Sequence, residues 1–266
     1  MTTRPRDAAY VPEEVPVREA ATVALIREAR VGAGVEVFLQ HRVATMQFAA
    51  GMSVFPGGGV ERRDHLGTRR WRGPDATWWA DRFHISVRRA GAAVRGVVRE
   101  LFEETGVLLA EPDLDAVPDH DAVPDHDAVP DHDAAQGVVP VWPGRAERDA
   151  LDAGAGDLDG LLRDHGLVLS AHLLRPWDRW TTPVGPPRRY DTLFFVAALP
   201  DGAEPDGGTS EARSAEWIRA DDAAHAGTLG RLGMLRPTLH VLTDLAAATD
   251  VAEVLGAHRD IAPGGH

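Results

Sequence analysis

The chain has 266 residues, of which 44% are apolar and 26% charged, so it can bury the core of one large or two small domains. Its formal charge is -13 and all 28 basic residues are arginine, which argues against general nucleic-acid binding. Without cysteine it can form neither a disulfide framework nor a thiolate metal site. No stretch approaches the roughly 18 apolar residues that span a bilayer, so we expect a cytoplasmic protein with no membrane partner.

The first part of the chain is predicted to form strands of one sheet. Residues 21–28 and 35–41 are rich in β-branched side chains and are separated by glycines, which is typical of a hairpin or of neighbouring strands. A short apolar run, residues 52–55, then leads into Pro56 and three glycines. We expect the strand to stop there in a flexible loop.

Two helices are predicted next. Residues 75–83 and 86–105 both have helical apolar spacing, and Gly106 is the residue expected just past a helix end. Along the second helix an apolar stripe recurs every three or four residues and is expected to face the sheet. The stripe consists of Ala93, Val94, Val97, Val98 and Leu101.

A tandem repeat follows. The hexapeptide Asp-Ala-Val-Pro-Asp-His occurs three times between Asp115 and His132. Proline at every sixth residue and the low apolar content predict a disordered insertion over residues 112–137. The histidines and aspartates have metal-binding chemistry, but alternation with proline fixes no common geometry, so a solvated linker is the preferred interpretation.

The last part of the chain returns to regular elements. We predict a helical segment over residues 145–165, broken at its glycines, and a closing helix over residues 236–258. Between them, strands are predicted over residues 167–174, 189–199 and 215–219.

Three carboxylates lie within five residues of the second predicted helix, at Glu100, Glu103 and Glu104. Residues three and four apart share a helix face, so the three carboxylates can converge on one point, where they would repel each other without a cation. Mg²⁺ and Mn²⁺ prefer carboxylate oxygen and bridge to phosphates. Arg99 can orient one carboxylate through a charge-assisted hydrogen bond. Taken alone, the three glutamates are more often a solvated acidic face.

The flanking residues favour the metal site. Residues 55–61 and 99–107 together resemble the Nudix box, Gly-x5-Glu-x7-Arg-Glu-U-x-Glu-Glu-x-Gly-U. The first glutamate of the box falls on Asp64, and 34 residues stand where the box has seven, so an insertion over residues 65–91 would split it. The resemblance implies a single Nudix domain over residues 1–266. Its expected fold is α+β, an α/β/α sandwich around a mixed central sheet.

The resemblance also implies the site residues. The metal, Mg²⁺ or Mn²⁺, would be held by the carbonyl of Gly57 and by Glu100, Glu103 and Glu104, with Asp64 as a further candidate. Arg99 would be the orienting arginine of the catalytic set. The catalytic base would come from the box, as Glu103, or from the loop that contains Glu211.

Residues 38–58 are similar in spacing to the coenzyme A motif of the family, although Gln40, Val43 and Gln47 depart from its side chains. Residues 101–109 and 180–195 are also similar to acyl-coenzyme A diphosphatases. This likeness implies hydrolysis of coenzyme A or acyl-coenzyme A to 3′,5′-ADP and (acyl-)4′-phosphopantetheine. The substrate-binding residues would be Arg42, Phe55, Gly58 and Arg189.

Other functions stay open at this point. Within the same family the alternative substrates are ADP-ribose, nucleotide sugars and dinucleoside polyphosphates. A noncatalytic Nudix-fold regulator that binds a nucleotide is the alternative from another class. In each case the partner is a small nucleotide, and whether the chain forms a homodimer is left open.

Overall fold

The computed structural model describes residues 15–43, 49–115, 141–208, 212–263 and 265. Within these residues the strands are β1 (Val17–Glu28), β2 (Val35–Arg42), β3 (Ser53–Val54), β4 (Gly57–Gly59), β5 (Ala110–Pro112), β6 (Leu167–Leu169), β7 (Leu174–Thr181), β8 (Arg189–Ala198) and β9 (Ala212–Arg219). The α-helices are α1 (Arg62–Leu66), α2 (Ala76–Phe83), α3 (Val87–Thr105), α4 (Arg145–Asp152), α5 (Leu158–Asp164), α6 (Ala220–Thr228), α7 (Arg236–Leu245) and α8 (Val251–Gly256).

The main sheet is mixed. Its strands run in the order β3-β2-β1-β8-β7, with β4 beside β1 and β9 beside β2. β1 and β8 are parallel from Val17↔Arg189 to Ile26↔Ala198, whereas the other pairs of this sheet are antiparallel. The pairing of β1 with β2 spans only the last three residues of β1, and β4 lies beside β1 further towards its start.

Apolar residues alternate along β1 and β8, so both faces of the sheet are covered. Val23 and Leu25 belong to a core shared with α2 and α3, whereas Ala24 and Ile26 belong to a second core shared with α6, α7 and α8. Two helical layers therefore enclose the sheet, which confirms the predicted α+β sandwich around a mixed sheet.

α3 is the central helix of the first core, and its ends agree with the sequence prediction. The Ser86 side chain accepts a hydrogen bond from the backbone N–H of Arg89, and Gly106 ends the helix at φ 75°. The five residues of the predicted apolar stripe are all buried, as expected for a helix that packs on a sheet. This packing fixes the opposite side of α3, which carries the glutamates.

Residues 65–91, the predicted insertion, contain α2 and the first turn of α3. Asp75 caps α2 by accepting from the backbone N–H of Trp78. Trp79 and Phe83 are fully buried, and their rings lie 5.6 and 5.0 Å from that of Phe195 on β8. This region therefore contributes apolar side chains to the first core.

Three predicted elements differ from the structure. The expected glycine loop after Phe55 pairs with β1 as the short strand β4. The predicted strand over residues 167–174 is divided: its start is β6, Ala171–Leu173 form a 3₁₀ turn, and β7 begins only at Leu174 and runs to Thr181. Pro176 is tolerated because β7 is an edge strand with a register shift at that point. The closing helix is broken after Leu245, because Asp250 caps a separate helix, α8.

The hexapeptide insertion, residues 112–137, lies outside the described residues from residue 116 onwards. Its first four residues are described, and Pro112 pairs with Leu167 as the end of β5. In the part of the chain that the structure describes, no helix is long and apolar enough to cross a membrane.

Candidate metal and pyrophosphate site

The candidate site lies where β1 no longer pairs with β2. At that part of β1 its partner is β4. Gly57 has φ +149°, and a Cβ atom there would lie 2.5 Å from the carbonyl oxygen of Ala21. Only glycine fits this close approach of the two strands. Gly57 is therefore what allows β4 to lie against β1.

Two of the predicted metal ligands face this glycine strand. The backbone N–H of Gly57 donates to Oε2 of Glu104 at 2.8 Å. A Cβ atom on Gly58 would lie 2.6 Å from Oε1 of Glu100, so the carboxylate occupies the space that a side chain would need. The structure thus brings Gly57, Gly58, Glu100 and Glu104 together.

Arg99 contacts three of the carboxylates of the site and is 1% exposed. Its Nε and Nη2 donate to the two oxygens of Asp64 at 3.0 and 2.9 Å. Its Nη1 donates to Glu103 at 2.6 Å and to Glu100 at 3.0 Å. Nη2 also donates to the carbonyl of Gly59 at 3.1 Å, which ties α3 to β4. A planar guanidinium suits this role because its donors diverge in fixed directions.

Arg63 on α1 is a site residue that the sequence analysis missed. Its Nη2 donates to Oε1 of Glu103 at 3.0 Å, and its Nη1 donates to the carbonyl of Leu151 at 2.8 Å. Both oxygens of Glu103 therefore accept from arginine. Arg63 also pairs with Glu61, but the partners that place it in the site, Glu103 and Leu151, lie 40 and 88 residues away in the chain, so no local signal singles it out.

Carboxylates crowd the interior of the site. Asp64, Glu100 and Glu103 accept from Arg99, Glu103 also accepts from Arg63, and Glu104 accepts from the backbone N–H of Gly57. Burial raises the pKa of Glu100 to about 7, although the charge of Arg99 opposes this shift. Burial likewise raises the pKa of Glu103 against Arg99 and Arg63. Such a cluster favours a cation.

Arg99 stays charged. Burial by itself would lower the pKa of its guanidinium, but the hydrogen bond to Asp64 and the charges of the neighbouring carboxylates raise it above its ordinary value. Among the described residues, no three His, Cys, Asp or Glu side chains are arranged so that they could hold a metal ion as they stand.

The predicted substrate residues are dispersed. Phe55 is buried in the second core, and this placement does not support a substrate contact. Arg189 is also buried, where its Nε donates to the carbonyl of Thr182 at 3.1 Å, a structural contact. Arg42 is partly exposed, two residues beyond Gln40, whose amide donates to the carbonyl of Glu104. Glu211 lies outside the described residues.

A cleft of about 440 Å³ opens beside β4. Its lining residues are Arg18, Glu19, Gly59, Val60, Glu61 and Tyr190. Arg18 and Tyr190 are brought together by the parallel register of β1 and β8. The sequence carried no sign of this pair, because it depends on the order of strands in the sheet.

Comparisons with known proteins agree with this architecture. A crystal structure of a NUDIX hydrolase from Alicyclobacillus acidocaldarius is similar with a TM-score of 0.69 and 25% identity, over 92% of this chain and 98% of that one. "Putative nudix hydrolase 7" of Caenorhabditis elegans is 25% identical over 219 residues, which are 80% of this chain. The match spans 57% of the length of the nematode protein. No family model matches the chain.

The chain has the Nudix fold. Both likenesses support its placement in the Nudix hydrolase superfamily.

Proposed function

We propose that the chain is a divalent-metal-dependent Nudix hydrolase that cleaves the pyrophosphate bond of a nucleoside-diphosphate-linked substrate. The observation that carries the proposal is that two carboxylates of α3, Glu104 and Glu100, face Gly57 and Gly58 of the glycine strand. Their oxygen atoms are the donors that Mg²⁺ and Mn²⁺ prefer.

Glu100 and Glu104, together with the carbonyl of Gly57, are the residues we assign to the ion. A divalent ion at this position supplies positive charge that neutralises pyrophosphate oxygens and lowers the pKa of the attacking water. Glu104 already faces Gly57, and Glu100 faces Gly58, so both lie beside the backbone that the substrate phosphates would approach. Glu103 is not assigned to the ion, because each of its oxygens already accepts a hydrogen bond from an arginine.

Arg99 and Asp64 are assigned a positioning role. Both oxygens of Asp64 accept from Arg99, and one of them also accepts from the backbone N–H of Glu61. This geometry favours Asp64 as the residue that holds Arg99 over its sequence-based role as a metal ligand. Arg99 in turn holds Glu100 and Glu103 near β4. Glu103 and Glu211 stay the two candidates for the base.

Coenzyme A or an acyl-coenzyme A is the substrate we propose, with 3′,5′-ADP and (acyl-)4′-phosphopantetheine as products. The support is the family likeness of residues 38–58, together with two arginines near the site. Arg42 lies two residues after Gln40, whose side chain donates to the carbonyl of Glu104. Arg18 lines the cleft beside Gly59. Each guanidinium suits a phosphate group, because it can donate two parallel hydrogen bonds.

The test is a substrate panel with product identification by mass. Coenzyme A, an acyl-coenzyme A, ADP-ribose and diadenosine polyphosphates are each incubated with Mg²⁺, with Mn²⁺ and with chelator. Glu104→Gln is assayed beside Asp81→Asn, which removes an exposed carboxylate on α2 and serves as the matched control.

We expect release of 3′,5′-ADP by the wild type and by the control, and only with metal. Cleavage confined to the other substrates would keep the metal chemistry and overturn the coenzyme A assignment. Nucleotide binding without cleavage of any substrate would overturn the enzyme and favour the noncatalytic regulator.

A further inference from the structure

The last turn of α3 carries two acidic residues of the candidate site, Glu103 and Glu104, followed by Thr105. A helix leaves the carbonyl groups of its last turn without a donor inside the helix, so these groups are satisfied by other parts of the protein or by water. In α3 their partners come from three separate elements of the fold. The contacts that hold this turn therefore also set where the two carboxylates lie.

Each of these three carbonyl groups accepts a hydrogen bond from outside α3. The carbonyl of Glu103 accepts from Nε of Arg148 on α4 at 2.8 Å. The next carbonyl accepts from a side-chain amide of β2 at 3.5 Å, a long contact. The carbonyl of Thr105 accepts from the backbone N–H of Asp206 at 2.9 Å. The bond from Arg148 is the shortest of the three, and its donor is charged, which strengthens it.

Arg148 is built into the fold. It is 4% exposed, and its Nη1 donates to Oδ1 of Asp206 at 2.7 Å. Burial acts to raise the pKa of the Asp206 carboxyl, but the hydrogen bond from Arg148 outweighs it and that pKa lies below its ordinary value. One guanidinium thus holds the carbonyl of Glu103 directly and, through Asp206, that of Thr105. A cation at this end of a helix also stabilises the negative end of the helix dipole.

The same helix, α4, reaches Glu103 a second time through Arg63. The carbonyl of Leu151 accepts from Nη1 of Arg63 at 2.8 Å, and Nη2 of Arg63 donates to Oε1 of Glu103 at 3.0 Å. Arg148 and Leu151 are the buried residues of α4, and they share a face because they are three residues apart. This face therefore holds both the main chain and the carboxylate of Glu103.

We propose that Arg148 is a positioning residue of the candidate metal site, which fixes the last turn of α3 so that Glu104 faces the glycine strand and Glu103 keeps its arginine contacts. The inference rests on the proposed function, because it concerns the same site. Without Arg148, the carbonyl of Glu103 and the carboxylate of Asp206 lose a buried donor. A shift of this turn would then weaken metal binding and lower turnover.

The test measures Mn²⁺ binding in the absence of substrate, from the electron paramagnetic resonance signal of the free ion, and kcat on the same preparations. Arg148→Met removes the charge and every donor but keeps an unbranched side chain. Arg148→Lys keeps the charge, but one ammonium group lacks the divergent donors that reach Glu103 and Asp206.

Two control variants accompany them. Arg163→Met removes an arginine of α5 that is 62% exposed and pairs with its neighbour Asp164. Asp191→Asn removes a charge that is shared by two arginines away from this turn, so it lowers stability without acting on the turn. Urea unfolding and circular dichroism check the stability and the fold of every variant.

We expect Arg148→Met to bind Mn²⁺ roughly tenfold more weakly and to lose kcat about ten- to hundredfold, as is usual for residues that orient metal ligands. Arg148→Lys should lie between this variant and the wild type. Both controls should bind Mn²⁺ as the wild type does. Wild-type Mn²⁺ affinity and kcat in folded Arg148→Met would overturn the proposal. Equally weak binding in Asp191→Asn would overturn it too, since lost stability would then explain the effect.

Asp206→Ala keeps the inference testable if Arg148→Met does not fold. The Asp206 side chain is 55% exposed, and the variant keeps the backbone N–H that donates to Thr105. We expect about threefold weaker Mn²⁺ binding, the factor that one exposed ion pair can supply. Unchanged binding in this variant would overturn the positioning role alone, whereas a wild type that binds no Mn²⁺ would overturn the proposed function itself.

Discussion

Two ion networks in the molecule shift the pKa of a buried carboxylate in opposite directions. At the candidate metal site, Asp64, Glu100 and Glu103 all accept from one guanidinium group, that of Arg99. Between α3, β7 and β8, Asp191 accepts from both Arg89 and Arg179 at 2.7 Å, and Arg89 also pairs with Glu19. Burial raises the pKa of Glu100 to about 7 in the first network. In the second, burial also acts to raise the pKa of Asp191, but the two arginines overcome it and lower that pKa to about 2.

The difference separates a binding site from a structural contact. A carboxylate with two arginines is stabilised in its charged form and needs no further partner, so it joins elements of the fold. Where burial raises the pKa of carboxylates against a nearby arginine, as at Glu100 and Glu103, their charged form is disfavoured and a cation is a suitable further partner. The first network should therefore govern turnover, and the second should govern stability.

The largest expected effect is on turnover at the first network. Glu104→Gln should lower kcat roughly a thousandfold, because a lost metal ligand removes several kcal/mol of transition-state stabilisation. The fold should persist, since the glutamine oxygen can still accept from Gly57 N–H. Glu103→Gln is expected to be similarly inactive, because Glu103 is a candidate for the catalytic base. The measurement is steady-state kinetics in Mn²⁺ with circular dichroism alongside. Wild-type rates in Glu104→Gln would contradict the metal-site assignment, and wild-type rates in Glu103→Gln would contradict the role of Glu103 as the base.

Asp191→Asn should lower the stability of the fold and leave turnover unchanged. Asparagine keeps an acceptor oxygen but removes the negative charge that Arg89 and Arg179 share, so the free energy of unfolding should fall by about 3 kcal/mol. The kcat of the folded variant should match the wild type. Urea unfolding followed by kinetics at low temperature measures both quantities. Lost turnover with unchanged stability would reverse the distinction between the two networks.

Asp64→Asn tests whether Asp64 positions Arg99 or binds the metal. We expect a ten- to hundredfold loss of kcat, the usual effect of removing a partner that orients a metal ligand. The Mn²⁺ concentration for half-maximal activity should change far less than in Glu104→Gln. The measurement is a Mn²⁺ titration of activity in both variants. An equal rise in the half-maximal Mn²⁺ concentration would show that Asp64 is a metal ligand.

The smallest expected effect is the pH dependence of the second network. The pKa of Asp191 is about 2 in the folded chain, against an ordinary value of 3.8. Its stabilising contribution, about 2 kcal/mol, is thus present above pH 4 and is lost as the pH falls through about 2. The difference in unfolding free energy between wild type and Asp191→Asn should be constant from pH 7 to pH 5 and shrink in that acidic window. A difference that shrinks near neutral pH would assign the titration to another group.

Local signals explain which parts of the fold and site were predictable. α3 was predicted between Ser86 and Gly106, because a serine cap, a glycine end and an apolar stripe all act within the helix itself. The convergence of Glu100 and Glu104 followed from helical spacing. β4 was harder to predict from the sequence. Three glycines indicate a flexible loop, and they form a strand only because they pair with β1.

Contacts between distant elements account for what the sequence did not show. Asp64 was expected to be a ligand, and its pairing with Arg99 depends on how α1 packs against α3. Arg63 reaches Glu103 for the same reason. Phe55 matched a substrate motif, yet which face of the sheet it occupies is set by the layer of α6, α7 and α8.

The anchored start of the hexapeptide insertion has a consequence for inheritance. Tandem copies of a short unit are gained and lost when DNA replication slips, and each such event here changes the chain by six residues. Pro112 is held by β5, Asp113 by Arg70 and Asp115 by Arg72, so these contacts come before the repeated copies in the chain. Relatives with different numbers of copies should therefore share the same catalytic domain.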